Sequence, residues 1–169
     1  MDLIALPQRP VPEGARTGMV TTPDGVALRY ARWEGLGGPR RGTVVICQGR
    51  SEFIEKYAEV IDELRQRGFG VLAFDWRGQG GSARLTRNGA KGHVRRFEDF
   101  QIDLDTVMTS IALPECKPPF HALGHSMGGA VLIEAAKAGR IWFDRIVLSA
   151  PMVRLRQVPA QGLMRGLFT

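Results

Sequence analysis

Hydrophobic and polar positions along the chain follow two patterns, short continuous apolar runs and longer amphipathic stripes. Four runs rich in apolar residues predict strands buried on both faces: 43–47 (TVVIC), 69–74, 120–124 and 146–149. Three helices are predicted between them: 54–67 and 97–111 from the helical spacing of apolar positions, and 131–138 from its small and apolar side chains. This alternation of strand and helix is typical of a parallel α/β sheet covered by helices.

The residues before the first buried run predict a hairpin. Strands are expected at 17–22 and 26–33, on either side of the turn Pro23–Gly25 (PDG). The Pro-rich stretch 1–16 is expected to be a leader outside the sheet. In parallel α/β sheets functional residues lie at the carboxyl ends of the strands, so the residues that directly follow each strand are the candidates for chemistry.

The formal net charge is +6, but the basic residues are spread along the chain. A solvated surface explains this better than a groove that follows nucleic-acid phosphates, so no nucleic-acid partner is expected. Attraction to an anionic lipid surface is a weaker alternative, and peripheral contact with a membrane is left open.

Cysteine usage and hydropathy indicate which broad class of protein this is. Cys47 and Cys116 are too few for a disulfide scaffold, no metal-ligand spacing occurs, and no cofactor is expected. The first residues lack the pattern of a secretory signal, and no apolar stretch reaches transmembrane length. The expectation is a cytoplasmic protein, with association to a membrane left open.

The segment Gly124–Gly129 (GHSMGG) contains the pattern G-x-S-x-G. The pattern alone is weak, but here it joins a predicted strand to a predicted helix, as a nucleophile elbow requires. So tight a turn strains the serine backbone and needs small neighbours, which Gly124 and Gly128 supply. Ser126 is therefore the predicted nucleophile.

Acyl transfer also needs hydrogen-bond donors for the oxyanion. One is expected from the backbone N–H after the nucleophile, at Met127, and the other from the loop after TVVIC. In that loop Gly49 lets the backbone turn, Gln48 supports it, and the N–H of Arg50 is the predicted second donor.

Three motifs in order resemble the monoglyceride lipase and lysophospholipase branch of the α/β-hydrolases. Gln48–Tyr57 (QGRSEFIEKY) is similar to that family's H-G-x-x-E…Y segment, and Asp75–Ser82 (DWRGQGGS) to its D-x-R-G-H-G-x-S loop. Gly124–Gly129 matches G-H-S-M-G-G. The resemblance covers about Pro23 to Met152. Two departures are Gln48 and Gln79, where the family usually has His, and they are interpreted as subfamily features.

The resemblance implies an α/β-hydrolase fold, with a mostly parallel sheet flanked by helices and truncated after about the sixth strand. Residues 17–152 would be the N-terminal part of the core, and 153–169 the beginning of a lid. The implied activity is hydrolysis of a carboxylic ester in a lipid-like substrate. On the residues alone, lipase, esterase, thioesterase and peptidase remain open, and the resemblance favours the first two. The exact substrate and the oligomeric state stay open.

The acid and base of a catalytic triad are not found in this chain. In this fold they follow the serine as Asp or Glu and then His, yet all three histidines precede Ser126. We therefore expect a piece of a longer protein whose isolated 169 residues are almost inactive. The alternative is a non-catalytic α/β fragment that acts at most as a binding or assembly partner.

The remaining polar candidates are assigned structural roles. The resemblance makes Asp75 an anchor for its loop, whereas Asp103 and Asp105 lie along a helix and are expected to be solvated. His121 is expected to be buried with a partner, and His125 to be oriented away from the Ser126 hydroxyl.

The end of the chain carries a prediction about association. The strand 146–149 has no charged residue to protect its edge, and 159–168 has apolar residues on one face of a predicted helix. The isolated chain is expected to self-associate through 146–168.

Overall fold

The fold is a six-stranded mixed sheet with helices on both faces, seen in a computed structural model that describes residues 3–4 and 10–153. The strands are β1 (Arg16–Thr21), β2 (Ala27–Trp33), β3 (Thr43–Cys47), β4 (Gly70–Phe74), β5 (Phe120–His125) and β6 (Arg145–Ser149). Their spatial order is β1-β2-β4-β3-β5-β6. β1 pairs with β2 and β2 with β4 in antiparallel fashion, and the other neighbours are parallel. The α/β architecture expected from the sequence is confirmed.

The helices differ in detail from the expected segments. They are α1 (Ala58–Gln66), α2 (Asp99–Val107), α3 (Leu113–Glu115) and α4 (Met127–Lys137). A 3₁₀ turn over Ile54–Tyr57 begins the expected first helix, and a π-helical turn over Met108–Ala112 joins α2 to α3. The apolar spacing therefore predicted the helical regions. It did not predict the 3₁₀ and π-helical turns, because side-chain periodicity does not encode the hydrogen-bonding pattern of the helix.

Two apolar layers hold the sheet between its helices. One combines α2 and α4 with one face of the sheet and includes Phe74, Leu104 and Val131. The other packs Ile61 of α1 with Ile46 on the opposite face. Because β3 is central, all five of its residues are buried, as its continuous apolar run predicts.

Strand β6 departs from the expectation of a buried core strand. It pairs with β5 in parallel, yet all five of its residues are exposed in the part of the chain that the structure describes. Val147 is 60% exposed. The apolar composition is that of a core strand, but the described elements, α4 included, leave every residue of β6 exposed. The predicted lid from 153 onward lies outside the described residues apart from Val153.

No described helix has the length and apolar character needed to cross a membrane.

Candidate active site

Ser126 lies at a sharp turn between a strand and a helix. β5 ends at His125, α4 begins at Met127, and Ser126 between them has φ 48° and ψ −112°. Only a few per cent of non-glycine residues have positive φ, and the conformation is strained. Ala130 N–H of α4 donates to Ser126 O at 3.2 Å. Two further backbone hydrogen bonds come from beyond α4: Ser126 N–H donates to Ser149 O at 3.1 Å, and Met152 N–H donates to Ser126 O at 2.9 Å. The predicted strand–turn–helix is thus confirmed, and the role of Ser126 in chemistry stays a prediction.

The glycines that flank the turn have no room for a side chain. A Cβ at Gly124 would lie 2.6 Å from Leu132 Cδ1 and 2.9 Å from Gly129 Cα. A Cβ at Gly128 would lie 2.0 Å from Cys47 O and 2.6 Å from Gln48 O. The start of α4 is therefore packed against the carboxyl end of β3, where the predicted oxyanion loop begins. The sheet register, which pairs Cys47 with Gly124, brings the two segments together.

The peptide that carries the Arg50 N–H is fixed by a neighbouring amide side chain. Gln79 Nε2 donates to Gly49 O at 3.1 Å, and Ser51 N–H donates to Gln79 Oε1 at 2.9 Å. In a trans peptide the C=O and N–H point in opposite directions, so holding Gly49 O also orients the Arg50 N–H. Among the described residues, no protein acceptor is hydrogen-bonded to the N–H of Arg50 or of Met127. Both amides have the donor capacity that an oxyanion site needs.

Gln48 is fully buried behind this loop. Its Nε2 donates to Phe74 O at 2.8 Å, and its backbone carbonyl accepts from Trp76 Nε1 at 2.9 Å. Its Oε1 is buried with no partner in the described part of the chain. Gln48 thus ties the end of β3 to the end of β4, consistent with a supporting role.

Glu52 was not singled out by sequence reasoning, although the matched motif contains it. Its carboxylate has four polar neighbours: Tyr57 Oη at 2.6 Å, Gly49 N at 2.6 Å, Lys56 Nζ at 2.9 Å and His125 Nδ1 at 3.0 Å. Burial alone would raise the pKa of Glu52, but these hydrogen bonds outweigh it and lower the pKa to about 2. Glu52 is therefore an anionic link between the loop after β3 and the turn at Ser126.

The His125 ring takes part in that link and not in a contact with the serine. No hydrogen bond joins it to Ser126 among the described residues. This agrees with the expectation that His125 is oriented away from the hydroxyl. No described histidine therefore serves Ser126 as a hydrogen-bonded base.

Asp75 anchors its loop, as the resemblance implied. It is fully buried and accepts hydrogen bonds from Ile54 N (3.0 Å), Gly81 N (2.7 Å) and Arg29 Nε (2.7 Å). These bonds connect the loops that follow β3 and β4, so Asp75 positions the surroundings of the candidate site.

The prediction that Asp103 is solvated was wrong. Asp103 is fully buried and accepts from Arg77 N at 3.0 Å and Arg77 Nε at 2.8 Å, whereas Asp105 is partly exposed and pairs with Arg140 at 2.6 Å. A buried arginine needs an acid opposite it, and that need outweighs the preference of a helical aspartate for water. No local spacing pattern indicates this pair, because Arg77 lies on a distant loop.

The expectation for His121 was wrong for burial, whereas one ring nitrogen has a partner as expected. The side chain is only half-buried, its Nδ1 has no partner among the described residues, and Nε2 lies 3.4 Å from Arg41 O. Its place in β5, next to the exposed β6, explains why burial is incomplete.

Comparisons with known proteins agree with this geometry. The family model described as serine aminopeptidase, S33, matches residues 38–169. Lysophospholipase L2 of Escherichia coli is 39% identical over 76% of this chain and 37% of its own, and monoacylglycerol lipase of Mycolicibacterium smegmatis is 32% identical over 76% and 44%. The structure of a soluble variant of monoglyceride lipase from Saccharomyces cerevisiae matches with a TM-score of 0.65 at 22% identity, covering 83% of this chain and 45% of that one. The chain thus spans less than half the length of these relatives.

Proposed function

Since this chain belongs to the serine aminopeptidase S33 family, we propose that the protein hydrolyses carboxylic esters of lipid-like substrates. Within the family it is an α/β-hydrolase of lysophospholipase and monoglyceride lipase type. The observation that carries the proposal is the strained Ser126 before α4, with an unbonded N–H at Met127 of α4 and another at Arg50 on the neighbouring loop. A serine held in this way is exposed to an incoming carbonyl and lies at a helix N-terminus, which favours developing negative charge.

The proposed reaction begins with attack of Ser126 Oγ on the ester carbonyl carbon. A base removes the hydroxyl proton, the Oγ–C bond forms, and the carbonyl oxygen becomes an oxyanion that accepts from the N–H groups of Arg50 and Met127. The C–O bond to the alcohol then breaks, the alcohol leaves with the proton, and water releases the fatty acid from Ser126. No His follows Ser126 in these 169 residues, so the base and its acid partner have no assignment here.

Labelling with a fluorophosphonate probe tests the nucleophile. In the protein expressed from its complete reading frame, we expect rapid labelling that Ser126→Ala abolishes. Ser110→Ala is the matched control, because Ser110 is exposed on the π-helical turn. The 169-residue chain alone should label slowly, since an oxyanion site without the triad retains only about 10³–10⁴-fold enhancement over water. Labelling that survives Ser126→Ala would overturn the assignment.

The substrate class is tested with the same protein. Hydrolysis of monoacylglycerol and lysophospholipid should exceed release of an amino acid from an aminoacyl anilide. The reverse ranking would favour the aminopeptidase activity in the family's description over the lipase activity in its relatives' names.

A non-catalytic role is the alternative. An immediate stop codon after residue 169, together with no Ser126 labelling, would favour a binding or assembly partner. An in-frame continuation that encodes Asp and then His would favour the hydrolase.

A further inference from the structure

The positive charge of the chain is concentrated in one segment that the proposed chemistry does not use. Between Trp76 and Phe97 the sequence has no Asp or Glu. Within this stretch we define the basic segment as residues 84–96, which contains five exposed cationic side chains: Arg84, Arg87, Lys91, Arg95 and Arg96. The whole chain has a net charge of +6, so this segment alone accounts for most of the imbalance.

The basic segment lies at the same end of the sheet as Ser126. It connects β4 to α2, beyond the carboxyl end of β4, and is held by one local contact and by one contact with the loop after β3. Arg84 donates to Gly80 O at 2.9 Å, and Arg50 donates through Nη2 to Gly92 O. The basic segment is therefore attached to the loop that carries the predicted oxyanion donor.

Most of these charges face solvent without an acidic partner. Arg87, Lys91 and Arg96 make no ion pair with any described residue, and Arg95 has a single distant one, to Asp99 at 3.9 Å. Leu85 adds an apolar side chain that is 39% exposed. Unpaired cations around an exposed apolar residue suit a surface that offers both anionic headgroups and hydrocarbon.

We propose that the basic segment docks this protein on anionic phospholipid membranes, with the Ser126 end of the sheet facing the lipid. The complementary charge of the headgroups identifies the partner. Nucleic acid suits the segment less, because single-strand grooves add aromatic side chains for stacking, and Arg77 to Arg96 contains no Phe, Tyr or Trp. The inference rests on the proposed function for its premise of a lipid substrate, but binding itself requires no catalysis.

Sedimentation with lipid vesicles tests the proposal in the protein as it is expressed. We expect binding to vesicles of phosphatidylglycerol mixed with phosphatidylcholine, weak binding to phosphatidylcholine alone, and loss of binding at roughly 0.5 M salt. Neutralising Arg87, Lys91 and Arg96 together to Gln should lower the partition coefficient about a hundredfold, since each charge is worth about fivefold.

A matched control removes three exposed charges from the opposite end of the sheet. Arg40 precedes β3, Lys117 precedes β5, and Arg16 begins β1, whose pairing with β2 places it at that end. The triple variant of these residues to Gln should bind almost as the parent does. Equal losses in the two triple variants would show attraction by net charge alone and overturn the proposal. So would binding of an oligonucleotide, but not of vesicles, through 84–96. Vesicle binding without Ser126 labelling would support docking and refute only the proposed hydrolysis.

Discussion

Gly128→Ala tests whether the start of α4 is packed against β3 as closely as the structure has it. The added Cβ would lie 2.0 Å from Cys47 O, 2.5 Å from Cys47 C and 2.6 Å from Gln48 O. All three are backbone atoms, and β3 is hydrogen-bonded to a strand on each side, so it has little freedom to move. Overpacking in a well-packed core costs about 1–3 kcal/mol, and contacts with fixed backbone belong at the upper end.

The opposing effect is the better helix propensity of alanine. It is worth up to about 1 kcal/mol in a helix interior and less at the second residue of α4. The steric cost therefore wins, and we expect the free energy of unfolding to fall by about 2–3 kcal/mol. For a chain of this size that lowers Tm by roughly 4–12 °C.

Urea unfolding followed by circular dichroism measures the difference. Gly89→Ala is the matched control, because no atom lies within 4 Å of a Cβ built there and its φ is not positive. That variant should stay within about 0.5 kcal/mol of the parent. A Gly128→Ala variant as stable as the parent would show that α4 does not contact the end of β3 in this way, and the proposed oxyanion geometry would lose its support.

Three further predictions concern charge and association. Glu52→Gln should lower the free energy of unfolding at pH 7 by about 1–3 kcal/mol. The folded protein lowers the pKa of Glu52 from 4.5 to about 2, so the carboxylate contributes stability that is present above pH 4.5 and is lost as the pH falls towards 2. The unfolding free energy of this variant should also vary less over that range, whereas the exposed Glu59→Gln should keep the parent's slope. Arg77→Gln should cost about 3–5 kcal/mol in thermal or urea unfolding, and Arg140→Gln, at an exposed pair, less than about 1 kcal/mol. Val147→Lys should weaken self-association of the 169-residue chain in sedimentation velocity, and a parent that is monomeric at high concentration would contradict this.

Continuous apolar runs and the serine motif were enough to predict the sheet and its turn. TVVIC has the same bounds in the structure as in the prediction, because a strand buried on both faces needs apolar residues at every position. The turn at Ser126 was equally accessible, since steric limits at Gly124 and Gly128 leave few other residue types. The domain boundaries, the site roles and the tail helix at 159–168, outside the described residues, stay predictions.

Hydrogen bonds and ion pairs between residues distant in the sequence could not be predicted. Asp103 is buried because Arg77 lies opposite it, and neither residue carries a local pattern that names the other. Glu52 bonds locally to Gly49 and Tyr57, but its contact with His125, on the far-off strand β5, exists only in the folded sheet. Hydrophobic periodicity indicates which face of a residue's own helix or strand is buried. It contains no information about a charged side chain that a distant loop places against that face.

The two backbone bonds that Ser126 makes beyond α4 have a consequence for the order of events during synthesis. Its N–H is bound by Ser149, and its C=O by Met152 as well as by Ala130 of the adjoining helix. Ser149 and Met152 leave the ribosome well after the motif itself. Because the chain is synthesised from its N-terminus, β5 and α4 emerge before the segment that holds the turn between them. A nascent chain halted before residue 149 would possess the whole G-x-S-x-G motif and the Ala130 bond, but not the two bonds from Ser149 and Met152 that hold the turn from the other side. The strained serine is therefore completed only when translation has passed the end of β6.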